Sequence, residues 1–178
     1  MDPTGPKDGL VDLHGIADHR QMPSLDIKEI RVDQIDAVVR MWRRSRDDVQ
    51  PELEARMDHS GEDDNNFFRT VLMKTCEIWL ALRDEQIVGL MAMKAESIEQ
   101  LYIDPPEQAC GVGSTFIDFA KQRSPDGLEL YTHVSNSRAR SFYENREFRA
   151  VAFGVSPPPE SEPDVRYAWN PAPNATED

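Results

Sequence analysis

Cysteine is nearly absent from this chain: Cys76 and Cys110 are the only two in 178 residues. Two cysteines do not make a disulfide framework, and their settings, a helix end and a glycine-rich loop, argue against pairing. Long apolar runs are missing too. No stretch approaches the roughly 18 residues that a membrane-crossing helix needs, so no membrane partner is expected. The opening MDPTGPKDG carries acidic and turn-forming residues and no apolar core, which speaks against a secretory signal. Basic residues are in deficit, 20 Lys and Arg against 33 Asp and Glu, for a net charge of −13. Phosphate backbones need the opposite balance, which argues against nucleic acid as a partner. A negative field suits a cationic partner, although an acidic surface also serves simply to keep a protein in solution. The expectation from these absences is a cytoplasmic protein.

What is present reads as one domain, long enough to bury about two thirds of its unfolded surface. Residues 1–24 are polar and turn-rich and read as a loose arm, 25–170 as the domain, and 171–178 as a tail. Leu25 to Val32 alternates as a strand. Asp33 is placed to cap a helix with Ile35, Val38, Val39 and Trp42 at helical spacing. Arg43 to Gly61 is highly charged and reads as surface loop with a short helical turn. Ser60 and Asp63 form a capping box for a second helix, with Phe67, Phe68, Val71 and Leu72 as its buried stripe. Strands follow at Glu77–Leu82 and Gln86–Lys94, joined by a tight turn, and at Ser97–Ile103. A helix over Gly111–Gln122, a strand over Leu128–Val134, a helix over Asn136–Arg146 and a strand over Phe148–Val155 come next. Ser156 to Asp164 (SPPPESEPD) cannot hold a strand and reads as a loop, after which Val165–Trp169 is the last strand. This order predicts an α/β fold of the α+β type: a mixed, mostly antiparallel sheet of about seven strands with helices on both faces.

The most telling stretch runs from Leu101 to Phe148. The strand Leu101-Tyr102-Ile103 ends in Asp-Pro-Pro, and the loop Gln108-Ala109-Cys110-Gly111-Val112-Gly113-Ser114 passes directly into a helix. Unpaired amides and the positive end of the helix dipole then aim at one point, which suits a phosphate or pyrophosphate. Gly111 and Gly113 let an anion approach the backbone closely, and glycine tolerates positive φ.

Gln-x-x-Gly-x-Gly after an LYIDP strand, with Asn136, Ala139 and Phe142-Tyr143 downstream, resembles the GNAT superfamily of acyl-CoA-dependent N-acyltransferases. The resemblance is tight over Ile98–Phe148 and extends over about Asp26–Trp169. It implies a single-domain GNAT fold in which the fourth strand carries a bulge and splays from the fifth. It also implies acetyl-CoA as co-substrate with no metal, and transfer of an acetyl group to a primary amine of a small molecule or peptide by direct attack. The working form would be a monomer or a homodimer.

The resemblance further assigns roles. Leu101, Tyr102 and Ile103 would offer main-chain groups to the pantetheine arm. Gln108, Ala109, Cys110, Gly111, Val112, Gly113 and Ser114 would wrap the pyrophosphate. Asn136, an N-cap by position, would also touch the cofactor, and Arg138 and Arg140 are within reach of its phosphates. Tyr143 would stand near the sulfur and protonate the departing thiolate. Glu99, placed by alternation on the face of Leu101 and Ile103, would take the proton of the ammonium acceptor. The acceptor would be chosen by Arg43–Gly61 and Ser156–Asp164. The acidic run Glu52, Glu54, Asp58, Glu62, Asp63, Asp64 favours a cationic one.

Two departures from the family pattern stand out. Cys110 replaces a common cation, which should weaken phosphate binding. Glu147 replaces a helix-ending glycine, at a cost of about 1–2 kcal/mol if left-handed geometry is kept. They leave open a catalytically silent acyl-CoA-binding sensor or interaction module, and beyond it a nucleotide-binding protein without acyl chemistry.

Overall fold

The computed structural model describes residues 24–170, so the arm expected over 1–24 lies, save Ser24, outside the described residues, as does the tail over 171–178. Seven strands form one sheet: β1 (Leu25–Glu29), β2 (Glu77–Arg83), β3 (Gln86–Lys94), β4 (Ser97–Ile103), β5 (Leu128–His133), β6 (Arg149–Val155) and β7 (Pro163–Trp169). Their order is β1-β2-β3-β4-β5-β7-β6, and every pairing is antiparallel except β4 with β5. The mixed, mostly antiparallel sheet expected from the element order is therefore present. Six helices accompany it among the described residues: α1 (Ile35–Val49), α2 (Pro51–Met57), α3 (Gly61–Phe67), α4 (Met73–Thr75), α5 (Val112–Arg123) and α6 (Ser137–Glu144).

Each face of the sheet has its own core. On one, Ile35, Val38, Val39 and Trp42 of α1 pack with Phe68 and Leu72 on Ile78, Leu80, Leu90 and Ala92. On the other, Val112, Phe116, Ile117 and Ala120 of α5 and Tyr143 of α6 pack on Met91, Ile98, Leu130, Val165 and Tyr167. Alternation along the strands sends successive side chains to the two cores. Asp84 and Glu85, both at positive φ, close the β2–β3 hairpin in two residues.

The ends of several elements differ from expectation. β1 stops at Glu29, and Asp33 does not cap α1. Its carboxylate pairs with the Arg31 guanidinium at 3.0 Å, while the Gln34 side-chain oxygen accepts the Arg31 amide at 2.9 Å. Arg43–Gly61 is mainly helix rather than loop, because its charges are answered inward. Arg46 bonds Glu54 at 2.7 Å and Asp64 at 3.1 Å, with its guanidinium carbon 4.3 Å from the Trp42 ring centroid. The capping box of Ser60 and Asp63 is present. A π-helical turn over Phe68–Leu72 joins α3 to α4 and changes the phase of the stripe. Phe68 and Leu72 are buried, whereas Phe67 and Val71 stay open to solvent.

Candidate functional site

Parallel pairing of β4 and β5 covers two residue pairs, Ser97 with Glu129 and Ile98 with Leu130. Beyond them the strands part. The register of β4 on β3 slips at the same level: Ala92 faces Gln100 while Met93 faces Ile98, so Glu99 is an extra residue, a β-bulge. The bulge implied by the resemblance is thus at Glu99, and it resets the alternation. Ile98, three residues before Leu101, packs in the same core as Leu101 and Ile103. Simple alternation therefore does not place Glu99 with Leu101 and Ile103, and its side chain is exposed.

The register also decides which backbone groups face the cleft. Asp104 N–H donates to Val88 O at 3.0 Å, which makes Ile103–Gly89 a non-bonded pair and Tyr102–Leu90 a bonded one. The amide and carbonyl of Tyr102 accordingly belong to the β3 ladder, a correction to the expectation that all three residues offer them. Leu101 and Ile103 direct theirs into the cleft, although Ile103 O already accepts the Ser45 hydroxyl at 2.9 Å. The Tyr102 side chain instead packs on the α1 face, its ring centroid 6.3 Å from that of Trp42.

At the far end of β4 the loop takes its shape from two left-handed residues, Ala109 (φ 63°) and Gly111 (φ 86°). Thr115 N–H to Gly111 O, 3.0 Å, is the first hydrogen bond of α5. The amides of Val112, Gly113 and Ser114 precede it and make no bond among the described residues. A Cβ built on Gly111 would meet nothing within 4 Å, so open space lies beside these donors. Gly113 is needed for packing: a Cβ there would come within 2.9 Å of Phe142 Cζ, so its absence allows α5 and α6 to approach. Val112 is fully buried and can offer only its amide, and Cys110 is exposed.

Two cations border the loop, Arg138, already singled out in the sequence, and Arg146, which was not. Arg146 donates to Ser114 Oγ and lies 3.8 Å from the Phe142 ring centroid; Arg138 donates to Gln108 Oε1. Arg140 is held away, donating to Tyr167 Oη and Val134 O at 3.3 Å.

Asn136 caps α6, its Oδ1 accepting from Ala139 N–H at 3.0 Å. Tyr143 is buried between Phe142, Phe148 and Tyr167. Burial, with a smaller contribution from Tyr102, pushes its pKa well above the ordinary phenol range, so the hydroxyl stays protonated. Tyr102 is pushed up to about 12, also by burial. Glu147 keeps the left-handed geometry (φ 68°) of a helix-ending glycine. Glu147 N–H bonds Glu144 O, and Phe148 N–H bonds Tyr143 O, the pattern that closes such an end. Its carboxylate meets Lys121 at 3.2 Å.

On the α1 face, the two segments expected to choose the acceptor touch each other. Arg56 of α2 pairs with Glu162, and Gln50 Nε2 lies 2.5 Å from His133 Nδ1, while His133 Nε2 lies 3.2 Å from Glu160. His133 and Gln50 were not legible as site residues, since neither stands in a motif. Of the acidic run, Glu54 and Asp64 are spent on Arg46 and Asp63 on the Ser60 cap. A shallow hollow between α1 and α3, lined by Asp36, Arg43 and Arg69, lies elsewhere, and its Arg43 and Arg69 are already paired.

Residues 74–150 match the Acetyltransferase (GNAT) domain family. The match and the fold support a GNAT acetyltransferase domain in this chain. It is an enzyme that transfers an acetyl group from acetyl-CoA to an amine. Over 130 residues it is 29% identical to the peptidyl-lysine N-acetyltransferase YjaB of Escherichia coli K12, covering 71% of this chain and 84% of that relative. Its fold matches the solution structure of apo YjaB from E. coli (TM-score 0.67, 24% identity, 82% of this chain and 97% of that one). It also matches the PaiA N-acetyltransferase of Thermoplasma acidophilum, solved in complex with coenzyme A (TM-score 0.60, 18% identity, 82% and 99%). Among the described residues, no helix is long and apolar enough to cross a membrane, and no group of three or more His, Cys, Asp or Glu could hold a metal ion.

Proposed function

We propose that this GNAT enzyme acetylates the ε-amine of lysine in a peptide or protein. The observation that carries the reading is the parting of β4 from β5 beyond Ile98 and Leu130. It leaves a slot whose β4 wall offers the Leu101 and Ile103 backbone and whose end holds the free amides of Val112–Ser114. In this reading the pantetheine arm pairs with Leu101 and Ile103, and the pyrophosphate lies over Gln108–Ser114, with Ala109, Cys110 and Gly111 shaping the turn. Arg138 and Arg146 balance its charge. The Asn136 carboxamide, whose oxygen caps α6, turns its nitrogen to the cofactor.

Tyr143 donates a proton to the departing thiolate, a role for which a phenol held protonated by burial is suited. A cleft-facing amide of β4 steadies the oxyanion. Glu99, exposed on the bulge, is one group that could receive the acceptor's proton. Residues 25–170 constitute the catalytic domain, working in the cytoplasm on a protein or peptide rather than a nucleic acid. A lysine acceptor is supported by the activity in the name of the E. coli relative and by the carboxylates of Glu160 and Glu162 beside the cleft.

The test is incubation with acetyl-CoA and a panel of lysine peptides, polyamines and aminoglycosides, following thiol release and locating the acetyl group by mass spectrometry. Transfer to lysine peptides is expected. Transfer confined to small amines would overturn the acceptor class.

A further inference from the structure

Acetyl transfer to lysine begins with a difficulty: the acceptor arrives as an ammonium and must lose a proton before its nitrogen can attack. Glu99 is open to bulk solvent. Across the cleft stands a better-matched group. Ile98 is level with Leu130 and Glu99 is an extra residue in the bulge, so His133, three residues past Leu130 on β5, stands level with Tyr102 on β4, about 10 Å from the point of divergence. Leu128 and Leu130 point into the α5 core, and alternation sends His133 to the opposite, acceptor-side face, where it meets Gln50.

The imidazole is held from both sides, and its side chain is only 13% exposed. Gln50 Nε2 can only donate, so His133 Nδ1 is the acceptor, and Nε2–H must donate to Glu160. Nδ1 therefore carries a lone pair turned to the Gln50 amide nitrogen, and an ammonium N–H could take that amide's place. We propose that His133, oriented by Glu160, is the proton acceptor for the incoming amine, and that Gln50 holds the ammonium's place until the substrate arrives. This rests on the acetyl-transfer reading above.

The protons balance. The ammonium gives one proton to Nδ1, and its lone pair forms the C–N bond to the thioester carbonyl carbon. The C–S bond then breaks, the thiolate takes the Tyr143 proton, and the second proton of the new amide nitrogen restores Tyr143. The one net proton leaves His133 for solvent beside Glu160, which is 47% exposed. The charges around the imidazole suit a proton acceptor. The hydrogen bond it donates to Glu160, opposed in part by burial, raises its pKa, and Glu162 of the β6–β7 loop and Asp164 of β7 add to the effect. Arg56 pairs with Glu162, and Arg46 lies within electrostatic reach of Glu160.

The experiment is the pH profile of kcat/KM for the best amine found in the panel, for the wild-type, His133→Gln and Glu99→Gln enzymes. With a working base, the wild-type rate levels off above the pKa of His133. Without one, the rate tracks free amine and keeps rising about tenfold per pH unit toward the lysine pKa near 10. His133→Gln should therefore lose about 10²-fold at pH 7, with a deficit that shrinks as pH rises. Should His133→Gln fail to fold, Glu160→Gln serves, and the acidic limb should move to lower pH. A plateau retained in His133→Gln, a limb unmoved in Glu160→Gln, or a plateau lost in Glu99→Gln alone would overturn the proposal while leaving acetyl transfer intact. A wild-type enzyme that acetylates no amine would overturn both.

Discussion

Gly113 and Phe142 stand so close that a Cβ on the glycine would come within 2.9 Å of Cζ on the ring. The two glycines of the loop are thus needed for different reasons. Gly111 sits at φ 86° beside open space, where a side chain would be strained and would fill the room beside the α5 amides. Gly111→Val should abolish acetyl-CoA binding in a protein that still folds. Gly113→Val should instead lower the melting temperature, because the Phe142 ring must shift to admit the new side chain. Calorimetry on both variants checks this: equal effects on folding and on binding would contradict the division.

Tyr143→Phe keeps the ring in its core between Phe142 and Phe148 while removing the hydroxyl. It should lower kcat by about 10–10³-fold, with a much smaller effect on acetyl-CoA affinity. Steady-state kinetics beside equilibrium binding separates the two. An unchanged kcat would remove Tyr143 from the chemistry.

Asp64 is 3% exposed and receives hydrogen bonds from both Arg43 and Arg46. Removing it leaves the Arg46 guanidinium, itself 11% exposed, short of a partner. Asp64→Ala should cost about 3 kcal/mol in urea unfolding. A loss under about 1 kcal/mol would show the network to be solvated.

How much of this was legible in the sequence depends on where the information sat. The strand, glycine loop and Asn136 to Tyr143 run lie within about 50 residues and are fixed by local chemistry, so the fold and the open helix end at the glycine loop could be read. The bulge at Glu99 could not, because it is defined by register against Ala92 and Met93 of β3. The same register took Tyr102's backbone out of the cleft. Arg46 looked like surface charge because its partners, Glu54 and Asp64, are distant in sequence and only the packed helices bring them in. His133 stands in no motif at all. Its setting is built from Gln50 and Glu160, 83 and 27 residues away.

The His133–Glu160 pair gives stability a pH dependence that is separate from catalysis. His133 has its pKa raised, chiefly by the Glu160 hydrogen bond, so its share is fully present below about pH 6.5 and lost as pH rises through the raised native value. Glu160 is lowered, chiefly by the same bond, so its share is present above about pH 4.5 and lost as pH falls through the lowered native value. The pair therefore contributes most between these limits, though by less than about 1 kcal/mol since Glu160 is half open to water. His133→Gln should be more destabilising at pH 5.5 than at pH 8.5 in urea titrations. The reverse order would contradict the assigned pairing.

The measurement that bears most directly on the whole account is titration calorimetry of acetyl-CoA against ATP, a nucleotide without the pantetheine arm. The parted strands and the glycine loop together should hold both halves of coenzyme A, so acetyl-CoA should bind far more tightly and raise the melting temperature more. Equal affinities and equal stabilisation would mean that the slot between β4 and β5 takes no part in binding, and the account would be wrong.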